Sequence, residues 1–93
     1  NVQVWRVLGS VYAQIGQPER GIEALNRALE LDPEQGDAWD THRMLAVLYS
    51  QIGEPQQAVD HAEMALQNAP DGQQDNLEQL LAQLESATNG ESE

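Results

Sequence analysis

Two arginines, Arg6 and Arg43, are the side chains of this chain best suited to binding a charged ligand. Arg6 and Arg43 are thirty-seven residues apart, and the 93-residue sequence contains no lysine and only two other arginines. A pair of guanidinium groups could hold a carboxylate by charge-assisted hydrogen bonds. Asp40 lies three residues before Arg43, and either Asp37 or Asp40 could pair with Arg6 from a neighbouring helix. Ligand binding and internal ion pairing are both open for these arginines.

The residue types that commonly perform catalysis or bind metals do not form a recognisable catalytic or metal-binding motif in this sequence. The chain has no cysteine, no phosphate-binding glycine loop and no serine in a nucleophile motif. His61 adjoins Asp60, but adjacent residues diverge by about 100° on a helix, whereas a metal site needs convergent ligands. We therefore predict that His42 and His61 lie on the surface among solvated acids. We also predict no catalytic residue, no metal site and no cofactor.

The acidic residues exclude several classes of partner. The formal net charge is −12, and residues 44–93 contain nine acids and no base. A field of that sign repels phosphate backbones and anionic headgroups, so we expect neither nucleic acid nor direct membrane binding. The acidity favours solubility, and a docking surface for a basic partner in the second half is the other interpretation. No apolar run approaches a membrane span or a signal peptide, and the localisation stays open.

The elements that position these side chains come from an internal repeat. Aligning residues 5–33 with residues 42–70 gives ten identical pairs, most of them at apolar and turn positions. They are Arg6/Arg43, Leu8/Leu45, Tyr12/Tyr49, Gln14/Gln51, Ile15/Ile52, Gly16/Gly53, Pro18/Pro55, Ala28/Ala65, Leu29/Leu66 and Pro33/Pro70. A repeat of this length indicates one supersecondary unit stacked on a copy of itself.

The apolar spacing predicts five helices, over residues 2–15, 18–31, 37–52, 55–68 and 73–87. Asp37 is the predicted N-cap of the third helix. The fifth helix has one apolar stripe, which suits a terminal element with one wet face. Trp5 and Trp39 are thirty-four residues apart rather than thirty-seven. We therefore expect the third helix to begin a turn early and Trp39 to pack over the junction between the repeats.

A set of spaced apolar and small residues gives the chain a family resemblance. The first copy has Trp5-x2-Leu8-Gly9-x2-Tyr12, then Gly21, Leu25, Ala28 and Pro33, and the second keeps Leu45, Ala46, Tyr49, Ala58, Ala65 and Pro70. This pattern resembles the tetratricopeptide repeat, with departures at His42 and Ala62. The resemblance implies an all-α superhelix in which two helical hairpins stack and a capping helix follows. The expected division is 2–35, 37–72 and 73–88, with a polar tail over 89–93, in a piece of a larger protein.

The same resemblance implies a binding surface. In such repeats the first helix of each hairpin lines a concave groove that holds an extended peptide. Transferred by position, the groove would present Gln3, Arg6, Ser10, Ala13, Gln14, Asp40, Arg43, Val47, Ser50 and Gln51. The carboxylate-clamp form of this groove has asparagines where this chain has Ser10 and Met44, so recognition of chaperone tails is not expected. The implied function is a non-catalytic scaffold that binds a protein or peptide partner.

Two other functions remain open at this point. Val2, Val4 and Val7 begin the first helix without a cap. This apolar face could be covered by an earlier repeat, or it could pair with a second copy and make the chain a homo-oligomerisation module. The repeats could also form an accessory domain of a larger bacterial enzyme, membrane-bound or soluble, that positions a partner for chemistry elsewhere.

Overall fold

Five α-helices make up the two ranges that the structure describes, residues 2–32 and 38–91, with side chains described through residue 87. In this computed structural model the helices are α1 (Val2–Gln14), α2 (Pro18–Leu31), α3 (Ala38–Gln51), α4 (Pro55–Asn68) and α5 (Asp71–Glu91). These ranges contain no strand, so the predicted all-α fold is confirmed. The predicted cap Asp37 lies outside the described residues.

The two hairpin turns share one backbone geometry. Gly16 follows α1 and Gly53 follows α3, each with φ of 79°, a left-handed conformation that glycine adopts without steric cost. The N–H of Gln17 donates to the carbonyl of Tyr12 at 2.9 Å, and the equivalent bond in the second turn is also 2.9 Å. This bond and a second one from each glycine N–H form the Schellman motif, which satisfies the last carbonyls of a helix. A proline then begins the next helix in both hairpins.

The helices α1 and α2 approach closely where two glycines face each other. A Cβ on Gly9 would lie 2.6 Å from Cγ of Leu25, and a Cβ on Gly21 would lie 3.1 Å from the carbonyl oxygen of Gly9. Leu25 is fully buried, so it has little room to move away from a larger residue at position 9. The absence of a side chain at Gly9 and Gly21 therefore allows α1 and α2 to pack at this distance.

Three apolar clusters follow one another along the stack. The first joins the two hairpins, the second joins α3 and α4 to α5, and the third joins the end of α4 to the start of α5. Their buried members are Ile22, Leu25, Leu45 and Leu48; Ala46, Ala58, Ala62 and Leu84; and Ala65, Ala69 and Leu77. The alanines of α4 let α3 and α5 pack against it at short range from two sides.

The start of α5 differs from the expectation drawn from the sequence. The helix begins at Asp71 rather than Gln73, and its backbone continues through Glu91. Asp71 in the first turn interacts favourably with the positive end of the helix dipole. The side-chain amide of Gln74 donates to the carbonyls of Leu66 at 3.0 Å and Ala69 at 2.8 Å, so the first turn of α5 is tied to the end of α4.

Trp39 lies at the start of α3. Its side chain packs against the cluster of Ala65, Ala69 and Leu77, where α4 ends and α5 begins. Residues 33–37, which join the two repeats, lie outside the described ranges, so the expected packing of Trp39 over that junction stays a prediction. Because α3 and α4 are antiparallel, a residue at the start of α3 faces the end of α4.

Candidate peptide-binding groove

A continuous groove runs across α1, α3 and α5. It comprises three cavities of about 290, 110 and 370 Å³. The first two lie between α1 and α3, and the third lies between the end of α3 and α5. Arg43 and Met44 line both the first and the second cavity, and Val47 and Gln51 line both the second and the third. These shared side chains on α3 join the three cavities into one groove.

Nine of the ten residues predicted for the groove line these cavities. Those that surround the first cavity are Gln3, Arg6, Ser10, Asp40 and Arg43. Those that line the second or third are Ala13, Arg43, Val47, Ser50 and Gln51. Gln14 is exposed near the end of α1 and lines none of the three. The structure therefore places nine of the ten residues in the groove, and their role in binding stays a prediction.

One wall of the groove was missed by the sequence reasoning. The third cavity is lined by Leu80, Gln83, Leu84 and Ala87 of α5. Leu80, Leu84 and Ala87 belong to the apolar stripe of the fifth helix, a pattern that by itself indicates only a terminal element with one wet face. A capping helix occupies the position that the first helix of a further hairpin would have, so it also faces the groove. That equivalence is the signal from which the α5 wall could have been predicted. Met44 lines two of the cavities as well.

Asp40 joins the two repeated arginines at one end of the groove. Arg6 donates from Nη2 to Oδ2 of Asp40 at 3.1 Å, while Nε and Nη2 of Arg43 lie 2.8 and 2.7 Å from Oδ1. The side chain of Arg6 is 13% exposed and that of Arg43 is 41% exposed. The internal ion pairing that the sequence left open is therefore present. Two guanidinium groups share one carboxylate, and Arg43 is the more accessible of the two arginines.

The two histidines form a pair between α3 and α4, so the prediction that they lie on the surface among solvated acids is wrong. Nδ1 of His42 lies 2.8 Å from Nδ1 of His61, and the ring centroids are 5.1 Å apart. His61 also stacks on Tyr49 with a centroid distance of 5.4 Å. Burial lowers the pKa of both histidines. The charge of His42 lowers the pKa of His61 further, and the carboxylate of Asp60 opposes this.

The described ranges contain neither a group of metal ligands nor a helix suited to crossing a membrane. No three histidine, aspartate or glutamate side chains there converge closely enough to hold a metal ion. In residues 2–32 and 38–91, none of the helices combines the length and the hydropathy that crossing a bilayer requires.

The comparisons with known proteins agree with the architecture. The comparison with curated proteins finds no match to the chain. A family model described as Tetratricopeptide repeat matches residues 2–71, which include both hairpins. Domains of this family generally mediate protein–protein interaction or scaffolding and are generally non-catalytic. The match covers most of the sequence and coincides with the two glycine-closed hairpins, so the chain belongs to the tetratricopeptide repeat family.

Proposed function

We propose that the groove across α1, α3 and α5 binds a peptide or a helix of a partner protein, and that the chain acts as a non-catalytic scaffold. The observation that carries this proposal is the continuity of the groove along α3, where each pair of neighbouring cavities shares two lining residues. The helices that form its walls are held by packed clusters. A groove that exists before binding costs little ordering on the protein side.

The two ends of the groove differ in chemistry. The first cavity is lined by the charged side chains of Arg6, Asp40 and Arg43, whereas the third is lined by Val47, Leu80 and Leu84. A ligand that suits both ends has a carboxylate, from a side chain or a free C-terminus, at Arg43. It has an aliphatic side chain against α5. The part of the Arg43 guanidinium that remains accessible beside Asp40 supplies the donors for a charge-assisted hydrogen bond.

The test is a peptide library with free and amidated C-termini, applied to the parent chain and to Arg43→Gln. We choose Arg43 because Arg6 is nearly buried against Asp40, so a change there would alter packing as well as binding. Peptides that combine a carboxylate with an aliphatic side chain should bind the parent, and Arg43→Gln should weaken them about tenfold. Arg20→Gln removes the same charge from an exposed site on α2 and should leave binding unchanged. Circular dichroism verifies that both variants fold.

Two results would contradict the proposal. One is equal retention of the peptides by the parent and by Arg43→Gln. The other is capture of basic peptides alone, which would direct the search to the acidic surface of residues 44–93. A loss of binding in Arg20→Gln equal to that in Arg43→Gln would mean that net charge, rather than the groove, selects the peptides.

A further inference from the structure

The helix α1 presents an apolar stripe that is exposed to solvent. Val4, Val7, Val11 and Ile15 are between 43% and 59% exposed. At about 100° per residue they occupy an arc of about 80° on one side of the helix. Ile15 keeps this register because its N–H donates to the carbonyl of Val11 at 3.0 Å. An isolated exposed valine is ordinary, but four aligned β-branched side chains form a surface that a partner can bury.

The charge around this stripe is unlike that of the other helices. Among the five described helices, α1 is the one with no acidic residue. Its remaining exposed side chains, Gln3 and Gln14, are neutral and border the stripe on its groove side. The exposed sides of α2 and α5 contain several charged residues each. In a chain of net charge −12, the α1 stripe is a surface that another acidic molecule can approach without meeting carboxylates.

We propose that this stripe is the docking site for a second copy of the chain, with α1 packed against α1 about a two-fold axis. Two copies repel each other wherever their acidic surfaces meet, so association requires a surface without acids. A head-to-tail arrangement would place the valines against the outer side of α5. That arrangement would desolvate exposed acids such as Asp75, Glu78 and Glu85 opposite apolar side chains, which is unfavourable.

The spacing of the stripe is self-complementary. A two-fold interface requires that when residue i contacts residue j, residue j of the same chain contacts residue i of the other. An antiparallel pair of α1 helices centred near Gly9 places Val7 against Val11 of the second copy. The same arrangement places Val4 against Ile15 and Gln3 against Gln14. Each side chain of the stripe therefore meets one of its own kind.

The expected association is weak and has a characteristic salt dependence. Four side chains per copy bury less than the roughly 800 Å² per partner of a standard interface, so we expect a dissociation constant on the order of 100 µM. Added salt screens the repulsion between two acidic molecules and leaves the apolar contact intact. The dimer should therefore become tighter with NaCl, whereas docking through ion pairs would become weaker.

Sedimentation equilibrium from about 10 µM to 1 mM in 50 and 500 mM NaCl tests the proposal. We expect a monomer–dimer equilibrium that shifts toward the dimer at 500 mM NaCl, and an association at least tenfold weaker in Val11→Glu. The matched control is Met64→Glu, which changes an exposed apolar residue on α4 in the same way and should associate like the parent. Val7 of the stripe also lines the first groove cavity, whereas Val11 lines none of the three, so Val11→Glu disrupts the proposed dimer without altering the lining of the groove.

Cross-linking tests the arrangement of the pair. The chain has no cysteine, so cysteines introduced as Val7→Cys and Val11→Cys are the only thiols in each variant. An oxidised mixture of the two variants should form more disulfide-linked dimer than either variant alone. Four results would overturn the proposal: a monomer at 1 mM in 500 mM NaCl, a dimer loosened by salt, equal disruption by Met64→Glu, or preferential cross-linking of one variant with itself.

Discussion

The facing nitrogens of His42 and His61 can form their hydrogen bond only while at least one of the two rings is neutral. At 2.8 Å one Nδ1 must carry a hydrogen and donate it while the other accepts. When both rings are protonated, two N–H groups point at each other and two positive charges lie side by side. The arrangement therefore disfavours protonation of both rings in the folded chain, and burial lowers the pKa of each ring as well. The unfolded chain, with histidine pKa near 6.5, binds protons more readily.

This linkage predicts that the stability falls on acidification. Because the folded pKa values lie below 6.5, the histidine contribution is complete above that pH and is lost as the pH falls through the folded values. Both rings are only half-buried, so solvent screening keeps the effect modest. We expect the free energy of unfolding in urea to decrease between about pH 7.5 and pH 5.5.

His61→Gln is the matched variant for this measurement, because it removes one titrating ring from the pair. Its stability should decrease less than that of the parent over the same pH range. An equal decrease in both proteins would assign the pH dependence to other groups and contradict the role of the histidine pair.

At the scale of helices and turns, the two Schellman motifs fix where each hairpin reverses. A Cβ on Gly53 would meet no atom within 4 Å, so its replacement has no steric clash and tests the backbone conformation alone. With φ of 79°, an L-residue at this position costs about 1–2 kcal/mol. We therefore predict that Gly53→Ala lowers the free energy of unfolding in urea by about that amount.

The control is Gly72→Ala, which lies in the first turn of α5. A Cβ there also meets open space, but φ of Gly72 is not positive. Alanine is favoured over glycine in a helix by about 0.5–1 kcal/mol, so this variant should be neutral or slightly more stable. Equal destabilisation of both variants would contradict the prediction that glycine is required at position 53 for the left-handed turn.

The parts of the fold that depend on local signals could be predicted from the sequence, and the parts that depend on packing could not. Glycine and proline at fixed offsets located both hairpin turns, because turn geometry is set within a few residues. His42 and His61 lie nineteen residues apart, and only the way α3 faces α4 brings them together. Aspartate and glycine after Pro70 were interpreted as a break, yet both residues are compatible with the first turn of a helix. The α5 wall of the groove also depends on packing and was therefore missed. Leu80 and Leu84 both pack in the cluster with α3 and α4 and line the third cavity.

At the scale of the whole molecule, the acidic charge is dense relative to the size of the fold. The chain measures 42 × 30 × 19 Å and has a net charge of −12. The Debye length is about 30 Å at 0.01 M salt and about 8 Å at 0.15 M. At low ionic strength the carboxylates therefore repel one another across most of the molecule, whereas at physiological ionic strength only near neighbours do so.

We predict that thermal stability rises with NaCl concentration. Relief of about 1 kcal/mol of repulsion between 10 and 300 mM NaCl would raise Tm by about 4–8 °C in a domain of this size. The measurement is thermal unfolding followed by circular dichroism at about 5 µM, well below the expected dissociation constant of the dimer.

Glu78→Gln/Glu85→Gln removes two exposed acids from α5 and should show a smaller salt response than the parent. A Tm that falls with NaCl would mean that the ion pairs, such as Arg6 with Asp40, contribute more to stability than the repulsion removes. An unchanged salt response in the double variant would place the repulsion elsewhere in the chain.

The placement of the two tryptophans has an optical consequence. Trp5 lies in the first hairpin with the guanidinium carbon of Arg27 5.9 Å from its ring centroid, and Trp39 packs where α4 meets α5. The indoles therefore sense separate parts of the stack. The fluorescence of Trp39 reports whether α5 is docked, and that of Trp5 reports whether α1 and α2 are paired. The chain contains an intrinsic fluorophore for each part of its helical array.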